Sequence, residues 1–361
     1  MATSNTMQNI KFLVQALSES INTRATKGVL FLVLDDANVQ GLYTYTKLKK
    51  VIENYESENK AIISTAFSDY GVKKVVVAAK HDEESGITGC LDDALKLLNK
   101  VNLNGWLTTP QVISEEDKKK VADFIKSQKN DEDYPLKGVL ANYSADHEAI
   151  VNFTGANLGG EITSDQYAAE VAMLLCTLGA GESITNHIAK NVTGCDVKDD
   201  NDTCVSNGEL FLFNNGNNIV FSRGVNSLQT IPSDQSEVLT KIRIVEIIDM
   251  VKADMREIFE GSYFGKIGNS YKNRKTLINT LNTYLKNISN EGYLSNDVLS
   301  TSELDVEATR AYLEGKGVDI DDVTTDDDVL KQDLGTHVFI KTTLRIMDTI
   351  EDIDLVLQYT S

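Results

Sequence analysis

Every position from Val29 to Leu34 is apolar. A run with no polar alternation suits a strand covered on both faces. Val75–Ala79 and Gly138–Leu140 have the same character. Between these runs the spacing changes to that of helices. Leu91, Ala94, Leu97 and Leu98 share one face, and Val121, Phe124 and Ile125 share another, after the cap-like Ser114-Glu115-Glu116-Asp117. Strands separated by helices over residues 27–205 predict a mostly parallel sheet with right-handed crossovers, an α/β domain.

A hairpin signal follows: Leu210–Phe213, the Gly-containing loop Asn214–Asn218, then Ile219–Phe221. It is taken to open a second domain over residues 206–347. Val238, Ile242, Val245, Ile248 and Val251 keep helical spacing, extended by Met255 and Ile258. Leu277, Leu281, Leu285 and Ile288 form another stripe, and both stripes suit ordinary core packing. Val338, Ile340, Thr342, Leu344 and Ile346 alternate with Phe339, Lys341, Thr343 and Arg345, the period of a strand. Helices followed by strands make this second domain α+β.

Both ends of the chain carry a short amphipathic strand on a polar tether. Ile10, Phe12 and Val14 mark one, in an arm of residues 1–26; Ile353, Leu355 and Leu357 mark the other, in an arm of residues 348–361. An isolated strand is not stable in water, so each needs a sheet to join, its own or a neighbour's. No internal repeat of 20 to 50 residues is visible, and repetition must come from copies of the whole chain.

Composition narrows the function. A 361-residue chain with 41% hydrophobic and 25% charged residues has material for two globular domains. A net charge of -19 argues against direct nucleic-acid binding, which recruits surplus Lys and Arg. The first residues lack the basic and apolar regions of a signal peptide, and no run approaches the roughly 20 apolar residues of a membrane span. Cys90, Cys176, Cys195 and Cys204 form no CxxC pair and read as reduced thiols, although Cys195 and Cys204 flank an Asp-rich loop and could pair.

Candidate chemistry is sparse. His81, His147, His187 and His337 lie far from one another in sequence, without zinc-ligand spacing. Asp199-Asp200-Asn201-Asp202 lacks the Gly and Glu of a calcium loop. Gly155–Gly160 has no phosphate-cradling pattern, and Gly179-Ala180-Gly181-Glu182-Ser183 lacks the order of a nucleophile elbow. These observations predict no catalytic residue, no metal and no cofactor.

Charge is unevenly spread. Residues 261–290 contain no acid but carry Lys266, Lys272, Arg274, Lys275 and Lys286, a net of +5. Residues 301–330 carry ten acids against Arg310 and Lys316, a net of -8. Such blocks either set register between copies or are two solvated faces.

The most distinctive segment begins Ser222-Arg223-Gly224-Val225-Asn226-Ser227-Leu228 and runs into a helix at Lys241-Ile242-Arg243-Ile244-Val245. Tyr263-Phe264-Gly265-Lys266-Ile267-Gly268-Asn269-Ser270-Tyr271 follows, then a helix ending at Glu291-Gly292-Tyr293-Leu294. This order resembles the C-terminal domain of contractile tail sheath proteins, found in myophages, R-type bacteriocins and related injection machines. The resemblance implies a larger domain that is subtilisin-like in fold. The alternative of a hydrolase on that scaffold finds little support, because Gly335-Thr336-His337 only faintly echoes a protease His motif and no nucleophile turn is present.

The resemblance further implies a helical homo-oligomer, in stacked hexameric rings, that contracts from a metastable extended state to drive a tube through a cell envelope. Its implied partners are the tail tube, baseplate and tail terminator proteins, with no membrane insertion, after assembly in the bacterial cytoplasm. The arms bearing Ile10, Phe12, Val14, Ile353, Leu355 and Leu357 would extend sheets in neighbouring subunits. Lys266, Lys272, Arg274 and Lys275 would face the tube.

Overall fold

A computed structural model describes residues 28–112, 114–132, 134–179, 181–231, 236–318, 320 and 325–358. The described chain divides into two compact units, residues 28–250 with 348–358, and residues 251–347.

In chain order the larger unit contains β1 (Val29–Asp35), β2 (Gly41–Tyr45), α1 (Ser57–Ser68), β3 (Lys74–Lys80), α2 (Ile87–Leu98), β4 (Gly105–Thr108) and α3 (Glu115–Asn130). It continues with β5 (Leu136–Ala141), β6 (Ile150–Phe153), α4 (Ser164–Leu175), α5 (Asn201–Ser206) and the short strands β7 (Glu209–Leu210), β8 (Leu212–Asn214) and β9 (Ile219–Phe221). Seven strands form one sheet in the order β2-β3-β1-β4-β5-β6-β7. All neighbours are parallel except β2, which runs antiparallel to β3 at the edge. The expected mostly parallel sheet is therefore present.

The unbroken apolar run of β1 has a physical cause: helices cover both faces. Leu30, Leu32 and Leu34 enter one core with Ile63 of α1 and Tyr167 and Val171 of α4. Val29, Phe31 and Val33 enter the other with Leu91 and Leu98 of α2 and Val121 and Ile125 of α3. Strand β4 lies so close to β1 that a Cβ on Gly105 would sit 2.3 Å from the Val29 carbonyl oxygen, so only glycine fits. The Ser114 cap also forms as read, its Oγ accepting from the Asp117 amide.

The division between units falls later than the boundary at residue 206. Strand β7 pairs in parallel with β6, and the Ser227 amide donates to the Ile150 carbonyl at 2.8 Å. These backbone bonds build the hairpin and the segment after it into the larger unit. Helix α6 (Ile242–Ser262) starts there, four residues after Val238, which is exposed in a preceding 3-10 turn. Its first turns are held by buried ion pairs: Lys137 of β5 lies 3.1 Å from Glu246 and 3.3 Å from Asp249, and Lys129 lies 2.9 Å from Asp249. Burial alone would lower the Lys137 pKa, but Glu246 and Asp249 hold it above the usual lysine value.

The smaller unit contains the rest of α6, then α7 (Tyr271–Asn290), β10 (Thr301–Leu304), α8 (Val306–Gly315), α9 (Asp326–Lys331) and β11 (Ile340–Thr343). Leu277, Leu281, Leu285 and Ile288 are all buried, as the α7 stripe requires. Leu313, Val329 and Leu334 form a satellite core lined by Val306, Tyr312 and Phe339. Among the described residues no helix is long and apolar enough to cross a membrane.

Candidate assembly surfaces

Strands β10 and β11 form an antiparallel pair in the smaller unit, with Ser302 opposite Thr342 and Leu304 opposite Ile340. Side-chain burial from β11 onward alternates as the sequence predicts, with Ile340, Thr342, Leu344 and Ile346 half-buried and Lys341, Thr343 and Arg345 exposed, but Phe339 before it breaks the pattern, being half-buried against the satellite core. Two strands alone are marginal in water, so the sheet's edges matter.

One edge is already closed. Asn282 of α7 lies along the outer side of β10, where its Nδ2 donates to the Ser302 carbonyl at 3.0 Å and its Oδ1 accepts from the Ser302 amide at 2.7 Å. The amide group of a side chain thus stands in for a third strand. Because Ser302 points its backbone away from β11, Thr342 opposite it must point its own backbone away from β10. Ile340 and Leu344 share that outward phase. Among the described residues no strand pairs along this side of β11. The open edge offers backbone donors and acceptors beside a half-apolar face.

The C-terminal segment has complementary character. Ile353, Leu355 and Leu357 are 80%, 73% and 81% exposed, and residues 351–358 adopt no regular secondary structure. Only the root of the segment is held, against the larger unit. Lys241 pairs with Asp348, and Arg223 Nη2 lies 2.5 Å from Asp352 Oδ1. Ile10, Phe12 and Val14 lie outside the described residues.

The four basic candidates separate. Lys272 and Lys275 are exposed on the first turns of α7, with the Lys275 ammonium 5.3 Å from the Tyr271 ring. Exposed Lys266 donates to the Glu260 and Gly261 carbonyls near the end of α6, where a cation suits the helix dipole. Arg274 is different: only 3% exposed, it donates from Nη2 to the Gln332 carbonyl at 2.9 Å. Burial lowers its pKa, with Asp333 partly opposing. A side chain inside its own subunit cannot present charge to a tube, and Arg274 leaves the candidate set.

The basic and acidic blocks also meet within one subunit. The Tyr271 hydroxyl donates to Asp327, which pairs with Lys331. The Asp327 carboxyl is held below its usual pKa by hydrogen bonds from Lys331 and Tyr271, with Lys275 adding to the effect.

Other motifs resolve as architecture. Asp200 caps α5 by accepting from the amides of Asp202 and Thr203. A Cβ on Gly159, whose φ is +92°, would meet Thr193 Oγ1 at 2.0 Å, so the glycine-rich loop is filled by its own chain. All four cysteines are free thiols. His81 Nδ1 lies 2.9 Å from Asp35 Oδ1 at the carboxyl ends of β3 and β1, a partner invisible in sequence. His337 packs on Tyr312 and Phe339. Among the described residues no group of His, Cys, Asp and Glu is placed to hold a metal.

Residues 234–360 match the family model of the phage tail sheath C-terminal domain. The tail sheath protein of Clostridium phage phiCD119 is 29% identical over 364 residues, covering 97% of this chain and 98% of that one. YqbK of Bacillus subtilis, an uncharacterized protein, is 31% identical over 140 residues, or 37% of this chain and 30% of that one. Among solved structures, a sheath tail protein of Listeria innocua superposes with a TM-score of 0.67 at 14% identity, covering 90% and 98% of the two chains. The helical sheath of the anti-feeding prophage in its contracted state gives 0.66 at 11% identity, covering 100% and 99%. At these identities the structures establish a shared fold.

Proposed function

We propose, for a chain that belongs to the phage tail sheath protein family, that copies of it polymerise helically around an inner tube and contract from an extended, metastable state. The family is structural, not enzymatic. Contraction would drive the tube through a target envelope, with free energy supplied by larger subunit interfaces in the contracted state rather than by a nucleotide.

The open edge of β11 carries this reading. A strand donated by a second copy would satisfy the outward backbone groups of Ile340, Thr342 and Leu344 and cover their half-buried side chains. The exposed Ile353, Leu355 and Leu357 supply a strand of the right period. By the alternation of the sequence, Ile10, Phe12 and Val14 would mark another at the opposite end of the chain. Strands that stay paired while tethers flex would let a cylinder shorten without separating.

Lys266, Lys272 and Lys275 remain the residues for contact with an acidic tube protein. Baseplate and terminator proteins would bound the cylinder, built from stacked hexameric rings after assembly in the bacterial cytoplasm, in a phage tail or a headless phage-like particle.

Truncation of residues 353–361 tests the reading. The shortened protein is expected to stay folded by circular dichroism yet form no hollow cylinders in negative-stain microscopy. Cylinders of normal length and number from it would overturn the donated-strand reading.

A further inference from the structure

The segment around Arg223 has no chemical task legible from its sequence, but the structure gives it one. Arg223 reaches two consecutive acids, with Nη2 at 2.5 Å from Asp352 and Nε at 3.7 Å from Glu351. Glu351 is the better enclosed of the two, its side chain 10% exposed. It accepts from Thr185 Oγ1 at 2.7 Å and from Thr349 Oγ1 at 3.2 Å. Thr185 is itself fixed, because its Oγ1 accepts from the Gly224 amide at 2.9 Å and lies 2.9 Å from Ser183 Oγ. Gly224 therefore ties the threonine to the same turn that carries Arg223. Three residues before Glu351, Asp348 pairs with Lys241, which an antiparallel bridge to Val225 joins to that same turn.

From these contacts we propose that Thr185, Arg223 and Lys241 form a clasp that fixes the root of the C-terminal arm on its own subunit, so that residues from 353 onward alone are donated to a second copy. This rests on the donated-strand reading above. The clasp holds residues 348–352 and stops there: Ile353, Leu355 and Leu357 stay exposed beyond it. A latch that hid the arm would cover those side chains, and this one leaves them presented. It acts by pre-organisation. The residues between the unit and the donated strand are ordered before the partner arrives, so less conformational entropy is lost on association. Charge also fits, since the arm root is acidic and all its charged partners in the clasp are basic.

The test compares four variants of the full chain with the unaltered protein: Arg223→Glu, Arg223→Glu with Asp352→Arg, Glu351→Gln, and truncation of 353–361. Melting curves establish that each is folded, and sedimentation gives the critical concentration for polymerisation. Arg223→Glu is expected to raise that concentration by about tenfold, and the double variant to bring it back to within about twofold. Glu351→Gln, which keeps the shape and removes the charge, is expected to raise it by about threefold and decides the matter should Arg223→Glu unfold. Unchanged polymerisation of Arg223→Glu, or easier polymerisation, would overturn the clasp, the latter by showing an inhibitory contact. Failure of the double variant to restore assembly would overturn it as well. The truncation separates the two ideas: if it abolishes cylinders while Arg223→Glu assembles normally, only the clasp falls; if it assembles, the donated strand itself falls.

Discussion

Asn282 and Ser302 exchange two hydrogen bonds, one in each direction, at 3.0 and 2.7 Å. The pair closes the outer edge of β10, and among the described residues no strand pairs along the outward side of β11. Ser302 is buried, so its backbone groups cannot turn to water if Asn282 is lost. Asn282→Ala is expected to cost about 1–3 kcal/mol in urea unfolding, the penalty of leaving buried polar groups unpaired. Asn282→Asp should be nearly as costly, since a carboxylate cannot donate to the Ser302 carbonyl.

Thr342 provides a sharper test of the open edge. Its amide points away from β10, so a proline there would spare the backbone bonds between β10 and β11 and remove one outward donor, at the loss of the 2.8 Å bond between Thr342 Oγ1 and Ser302 Oγ. Thr342→Pro is expected to lower stability by about 1 kcal/mol, the worth of that side-chain bond, leaving the subunit folded, and to prevent cylinder formation. Normal cylinders in negative stain would place the accepting edge elsewhere.

Lys137 is buried against Glu246 and Asp249. Lys137→Met takes the cation from Glu246 while Asp249 keeps Lys129, so it should destabilise by about 3 kcal/mol, the low end for a broken buried pair. Chemical denaturation at neutral pH measures this directly. A loss below about 1 kcal/mol would mean that water reaches the cluster.

His147 sets a pH dependence. Its Nδ1 accepts from the Ala149 amide at 3.1 Å, which requires an unprotonated nitrogen. Burial lowers its pKa, with Lys129 and Lys126 acting in the same direction and Glu148 opposing. A depressed folded-state pKa means that the unfolded chain takes up the proton first. The stabilisation is complete above the unfolded value of about 6.5 and is lost as pH falls from there through the folded value. Unfolding free energy should therefore decline below about pH 6.5 by up to about 1.4 kcal/mol per pH unit, and His147→Gln should flatten that slope.

Arg274 shows where reading charge from sequence fails. It sits in an acid-free stretch between Lys272 and Lys275, indistinguishable from them by type or neighbourhood. One position along α7 turns its side chain by about 100°, enough to move it from solvent to the interior. Arg274→Ala should accordingly lower stability and leave the salt dependence of the proposed contact with a tube protein unchanged, whereas Lys272→Glu with Lys275→Glu should do the reverse.

The burial of whole faces was settled by the chain's periodicity. A period of 3.6 sends Leu277, Leu281, Leu285 and Ile288 inward, an unbroken run such as Val29–Leu34 requires cover on both sides, and alternation from Ile340 to Ile346 describes a strand with one protected face. These follow from local geometry, because apolar side chains leave water wherever the repeat of the backbone aligns them. What the repeat cannot specify is which polar group meets which. Asn282 reads as a solvated helix position until β10 lies beside it, and Arg223 as a turn residue until Glu351 and Asp352, more than 120 residues away, reach it. Hydrogen bonds and ion pairs depend on distances of a few ångströms between segments remote in sequence, and only the assembled tertiary structure fixes those distances.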